Sequence, residues 1–184
     1  MLDFETLLVA ARAGRPSAWD QLYRQLAPQV AGYLRLRGAR DVDDLTSEVF
    51  LALFRNIASF EGSEANFRSW VFVIAHRRLQ DERRRRYRKP PADSLDASPA
   101  GADSRVGGDV EDDALRALAS ERVEAICARL APDQADVLLL RILGDLTVDQ
   151  VADALGKTPG AVKQLQRRAF EAVRRRLARE GVPL

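Results

Sequence analysis

Cysteine and histidine occur once each in this chain, as Cys127 and His76, and their scarcity removes whole classes of chemistry. A single thiol closes no internal disulfide and suits a reducing compartment. Cys127 lies among Val123, Ile126 and Leu130 at helical spacing, which reads as a core thiol. A single imidazole supplies neither a histidine-based metal cluster nor a Ser–His or Cys–His nucleophile system with a second histidine. Long apolar runs are also missing, and none approaches the ~20 residues that span a bilayer. The opening MLDFETLLVAARAGR has no basic stretch ahead of its apolar part, unlike a secretory signal. The expectation is a cytoplasmic protein with no membrane contact of its own. No glycine-rich loop fit to cradle a phosphate is present, since Gly107-Gly108 are not followed by a basic helix start. Asp43 and Asp44 are neighbours that point in different directions on a helix. No catalytic residue, metal site or cofactor is therefore expected, and the chain does not read as an enzyme.

What the chain does have is charge, strongly segregated. Its 184 residues are 46% hydrophobic and 30% charged, with a net charge of +2, the balance of a folded, helix-rich protein of one domain or two small ones. Residues 77–89 carry eight basic and two acidic groups, and residues 157–180 carry eight basic groups against Glu171 and Glu180. Between them, residues 92–113 hold seven acidic groups against Arg105 alone. Two basic blocks separated by an acidic tether are a footprint for two contacts with nucleic acid.

The first block closes the stretch FEGSEANFRSWVFVIAHRRLQDERRRRYR. Gly62, Ser63 and Asn66 mark a polar loop, and from Phe67 onward Trp70, Val71, Ile74 and Leu79 recur at helical spacing. Arginines at the far end can neutralise phosphates, and rings beside a polar loop can hold unstacked bases. A solvated charged helix with a core tryptophan fits these residues equally well. Upstream, a helix from near Asp3 stops at Gly14-Arg15-Pro16, and Ser17 with Asp20 resembles a capping pair for the next. That helix carries Trp19, Leu22, Tyr23, Leu26, Val30, Tyr33 and Leu34 as an apolar stripe up to Gly38. Asp41 can cap a third helix, Val42 to about Ile57, with Leu45, Val49 and Leu53 inward. Its acids Asp43 and Asp44 suit the helix dipole; with Glu48 around an exposed Phe50 ring they also suit docking of a basic partner.

Residues 89–113 are rich in Pro, Gly, Ser and Asp, the composition of a flexible linker. Fully extended, its roughly 25 residues reach ~80–90 Å, enough to set two heads about two duplex turns (~70 Å) apart. Beyond it a helix is expected over Ala114–Leu130 and another from Pro132. Thr147 with Gln150 then fits a capping box, Gly156 ends a short helix, and Thr158 with Pro159 opens a longer basic one. This pairing makes a helix-turn-helix, whose second helix reads the major groove from its N-terminal end. Lys163 and Gln164 suit base or phosphate contacts, and Arg167 and Arg168 suit phosphates. The expected fold class is all-α: two small helical domains, residues 1–88 and 114–184, joined by a flexible acidic linker.

In order, these parts resemble the ECF (extracytoplasmic-function) sigma factors of bacterial RNA polymerase. RDVDDLTSEVFLALFRNIASF resembles that family's region 2.2, FRSWVFVIAHRRLQDERRRR its regions 2.3 and 2.4, and LAPDQADVLLLRILGDLTVDQVADALGKTPGAVKQLQRRA its region 4. The resemblance implies that Asp43, Asp44, Glu48, Phe50 and Leu53 dock on core RNA polymerase at the largest subunit's clamp helices, with a second contact at the flap. It implies that Ser63, Asn66, Phe67, Arg68, His76, Arg77, Arg78, Arg83 and Arg84 bind and open the −10 element of promoter DNA, with a flipped base captured at the loop. It implies −35 contacts from Thr158, Gly160, Ala161, Lys163, Gln164, Arg167 and Arg168, and control by a separate anti-sigma factor. Two other readings are an autonomous helix-turn-helix regulator and a protein-binding adaptor.

Overall fold

The computed structural model describes residues 3–88 and 123–179, and among them the secondary structure is helical, without strands. The expected linker over 89–113 and the start of the helix expected from Ala114 lie outside the described residues, while residues 123–127 are helical.

Local chemistry accounts for the helix boundaries. Helix α1 (Phe4–Arg12) starts where the Asp3 carboxylate accepts from the Thr6 backbone N–H at 2.9 Å and from its hydroxyl at 2.7 Å. Helix α2 (Pro16–Leu36) opens on Pro16, and no side chain caps it. The expected Ser17–Asp20 capping pair does not form: the cap position falls two residues earlier, on Arg15, and Asp20 pairs instead with Arg24 a turn on. Helix α3 (Val42–Asn56) is capped by Asp41, which accepts from Asp44 N–H at 2.9 Å. A 3-10 turn at Ile57–Ser59 leads to Phe60, whose carbonyl accepts from Arg12. Helix α4 (Glu64–Arg88) follows, then α5 (Pro132–Ile142), α6 (Val148–Leu155) and α7 (Pro159–Arg179).

Helices α2, α3 and α4 pack on one another with α1 against α2, while α5 and α6 pack on α7. The two groups are not independent bodies, because α6 lies on α4. A single apolar cluster runs from Leu7, Leu22, Val49 and Leu53 through Val71 and Phe72 to Leu140, Leu146, Val151 and Val162. Leu130, Ala135, Leu138 and Ala169 form a smaller one inside the second group. At about 1.5–3 kcal/mol per fully buried large apolar side chain, Phe72, Leu140 and Leu146 make the junction a substantial contact.

Candidate nucleic-acid interface

The basic helix α4 is anchored by the turn before it. Ser63 N–H donates to Asn66 Oδ1 at 3.2 Å and Asn66 N–H to Ser63 Oγ at 3.3 Å, a reciprocal cap of the Ser–x–x–Glu kind. Asn66 therefore belongs to the first turn of the helix rather than to a loop that reached it. Gly62 has φ +144°, and a Cβ there would sit 2.9 Å from Asn66 Cβ, so only glycine fits. Ser63 and Asn66 remain exposed at this corner. From there α4 sends Arg77, Arg84, Arg85, Arg86 and Arg88 to solvent, with Tyr87 90% exposed among them. Arg68 is half-buried and donates to Gln29 Oε1 at 3.1 Å.

The second basic face is on α7. Thr147 and Gln150 exchange both capping-box bonds, and Gly156 closes α6 in the left-handed conformation at φ 62°. Thr158 Oγ1 accepts from Ala161 N–H at 3.2 Å, which sets the N-terminus of α7. Val162 and Ala169 turn inward. Lys163, Gln164, Arg167 and Arg168 stand exposed on the opposite side, and Thr158 and Gly160 are exposed at the tip.

On α3, Asp43 and Asp44 are exposed at the first turn. Leu51 and Phe54, both more than half exposed, lie further along the same helix. Phe54 packs its ring 5.1 Å from Trp19, and Tyr23 sits 4.7 Å from Phe50. These side chains make an apolar, aromatic strip on the outside of α2 and α3, the kind of surface that marks a protein contact.

Residues 22–89 match the Sigma-70 region 2 family and residues 128–175 match Sigma-70, region 4. Over 188 residues the chain is 30% identical to the ECF RNA polymerase sigma factor ShbA of Streptomyces griseus, covering 95% of this chain and 97% of ShbA. The chain belongs to the ECF RNA polymerase sigma factors. It is also 33% identical over 176 residues to the ECF sigma factor BldN of Streptomyces coelicolor, covering 93% of this chain and 64% of BldN. The structure of CnrH in complex with the cytosolic domain of CnrY shows the same fold, with a TM-score of 0.65 and 23% identity over 94% of this chain and 96% of that one.

Within this sigma factor, several residues expected at the interfaces are elsewhere. Leu53 is fully buried and Phe50 only 8% exposed, so the exposed ring on α3 is Phe54, one turn beyond Phe50. Glu48 is partly covered and lies 3.8 Å from Arg78 and 4.0 Å from Arg85, tying α3 to α4. Phe67 is 2% exposed, wedged between Phe4, Phe60 and Trp70 with centroids 5.1–5.8 Å away. Its ring is the floor under the Ser63–Asn66 corner, not an open stacking face. Arg83 turns back to donate to the Arg37 carbonyl.

The largest departure is His76, expected on the helix surface or facing DNA. Its side chain is 12% exposed and lies 3.8 Å from Asp136 on α5. Asp136 is 3% exposed. Arg37 grips it with two bonds, Nε to Oδ1 at 2.6 Å and Nη2 to Oδ2 at 3.0 Å. The Tyr33 hydroxyl donates to Asp136 Oδ1 at 3.0 Å and therefore accepts from His76 Nδ1 at 2.8 Å. That assignment leaves His76 Nε2 as the acceptor for Gln80, at 3.5 Å. Burial raises the Tyr33 hydroxyl well above its ordinary value and so keeps its proton in place. The His76 imidazole is lowered, first by burial and then by Arg37 and Arg83, against the opposing pull of Asp136 and Asp133. One sequence signal pointed here: Asp136 interrupts the inward phase of ADVLLL, where an unpaired carboxylate is not tolerated.

Among the described residues no group of three or more His, Cys, Asp or Glu side chains is placed to hold a metal, and no helix is long and apolar enough to cross a membrane.

Proposed function

We propose that this chain is a dissociable promoter-specificity subunit, non-enzymatic and cytoplasmic. Residues 1–88 dock on core RNA polymerase and open the −10 element, and residues 114–184 read the −35 element. The observation that carries this reading is the coexistence of two exposed basic helices, α4 and α7, with an aromatic strip on α2 and α3. An autonomous regulator of duplex DNA has no use for that strip, whereas a subunit that borrows another enzyme's chemistry requires a docking face. Asp43 and Asp44 serve that face with Leu51, Phe54 and Trp19, over a base formed by Phe50, Leu53 and Glu48.

At the −10 element, Ser63 and Asn66 present polar groups at the corner of α4 while Phe67 holds that corner rigid from beneath. Unstacking a base costs a few kcal/mol, which edge contacts and stacking must return. Arg68, Arg77, Arg78 and Arg84 line the strand's path. At the −35 element the tip residues Thr158, Gly160 and Ala161 approach the backbone, Lys163 and Gln164 reach base edges, and Arg167 and Arg168 hold phosphates. A separate anti-sigma protein covers these faces when initiation is not wanted, as the CnrY cytosolic domain binds CnrH.

Run-off transcription with core polymerase tests the reading. Promoter-dependent transcripts are expected, and their absence while the chain still binds duplex DNA would establish the autonomous regulator instead.

A further inference from the structure

We propose that the Arg37–Asp136 ion pair, with Tyr33 and His76 bonded around it, is a latch that clasps the α5–α7 group onto the −10 helix and holds the free sigma factor in a self-inhibited form. The proposal rests on the sigma-factor reading above and names a regulatory contact within the chain itself.

Three observations converge on it. The contact joins distant parts of the sequence: Arg37 and Tyr33 come from α2, His76 from α4 and Asp136 from α5. It also abuts one side of the DNA-facing helix α4, leaving Arg77, Arg84, Arg85, Arg86 and Arg88 exposed on the other. His76 points into the contact beside Asp136, and Gln150 on α6 donates to the Ala65 carbonyl at 3.4 Å, beside the Ser63–Asn66 corner. Finally, it fixes the two basic helices in one arrangement, whereas a −10 and a −35 element two duplex turns apart demand that they separate.

The chemistry suits reversible closure. A buried ion pair contributes little net stability over an apolar pair of the same shape, because the desolvation of both ions offsets their attraction. When the groups part, both ions recover their hydration, so the ion pair adds little to the cost of opening, which is set by the apolar contact of Phe72 with Leu140 and Leu146. Removing one partner while the other stays buried is strongly destabilising, so the pair enforces a single registry. Gly144 adds to that registry, since α5 ends against Phe72 at a spot where a Cβ would lie 3.2 Å from the ring. Docking on polymerase, which needs the groups apart, supplies the opening force.

The test uses the full chain with Cys127→Ser as background. Asp136→Asn and, on the other side of the contact, Arg37→Gln are compared with the parent by the distance between two spin labels, one on α1 and one on α7, without polymerase. Both variants are expected to lengthen and broaden that distance. Both should also tighten binding of the free protein to a single-stranded oligodeoxynucleotide on the order of tenfold, the gain expected when a minor competent state becomes dominant. An unchanged distance in either variant overturns the latch. A complementary pair, Ala65→Cys with Gln150→Cys joined by a short bismaleimide carrying a cleavable disulfide, locks the closed form. Locked protein should lose run-off transcription on the order of tenfold or more and regain it on reduction. Equal transcription from locked and reduced protein overturns the latch while leaving the sigma-factor reading intact. Transcription absent from every sample, with the variant distances still lengthened, sinks that reading and keeps the clasp.

Discussion

Gly144 has almost no room around it. A Cβ added there would lie 2.4 Å from Leu146 Cδ1, 2.7 Å from the Leu140 carbonyl and 3.2 Å from Phe72. The leucine can swing away but the backbone carbonyl cannot, so Gly144→Ala should cost about 1–3 kcal/mol, read as a lowered urea midpoint. Gly62→Ala, at φ +144° with Asn66 in the way, should cost a similar amount, about 1–3 kcal/mol. His76 carries a pH prediction. Its imidazole is lowered in the closed fold, first by burial and then by Arg37 and Arg83, while Asp136 and Asp133 oppose the shift. The neutral ring is therefore the form the fold accepts. Its stabilisation is complete above the ordinary histidine value of 6.5 and is lost as pH falls through the lowered one. Melting at about pH 5.5 should show a lower midpoint than at about pH 7.5, and His76→Gln should shrink that difference; an unchanged difference would remove His76 as its source.

At the scale of helices, the starts and stops were mostly legible. Asp41, Thr147 with Gln150, Gly156 and Thr158 all act as the caps their chemistry suggests, because capping is decided within four residues of chain. Thr147→Ala should cost about 1 kcal/mol by freeing the Gln150 N–H, measurable by thermal melt. What one helix could not reveal was which side faced another. Periodicity marks an inner stripe, yet it gave Leu53 two duties and left Phe50 facing outward, because the orientation of α3 is set by Trp19 and Tyr23 on α2. Phe67 stood next to a polar loop in sequence and beneath it in space. Helix α7 offers the cleanest functional test: its Lys163, Gln164, Arg167 and Arg168 are exposed. Arg167→Ala should lower the slope of log affinity against log salt by about 1 while leaving base preference intact. Gln164→Ala should do the reverse, altering preference with the slope unchanged.

At the scale of the molecule, two modules were evident from charge and composition, but their clasp was not. It depends on Arg37, Tyr33, His76 and Asp136, which are up to 103 residues apart, and no local pattern announces such a meeting. The shared apolar cluster, extending from Leu7 to Val162, predicts that calorimetry of the parent chain gives one cooperative transition. Asp136→Asn should divide it into two. The exposed strip on α3 yields a separate expectation. Leu51→Asp with Phe54→Ser should abolish co-migration with core polymerase in gel filtration while leaving the melting midpoint within a few degrees, since both sites are solvent-facing.

Both tryptophans of the chain, Trp19 and Trp70, happen to fall in the same half. Trp19 donates its indole N–H to the Ala11 carbonyl and leans on Phe54, and Trp70 stacks on Phe60 at 5.1 Å. Intrinsic fluorescence is therefore a one-sided gauge, with both emitters in the α1–α4 half and one of them sensitive to anything that touches Phe54. An emission change on adding a binding protein, with no heat absorbed, would signal occupancy of that strip with no dye attached.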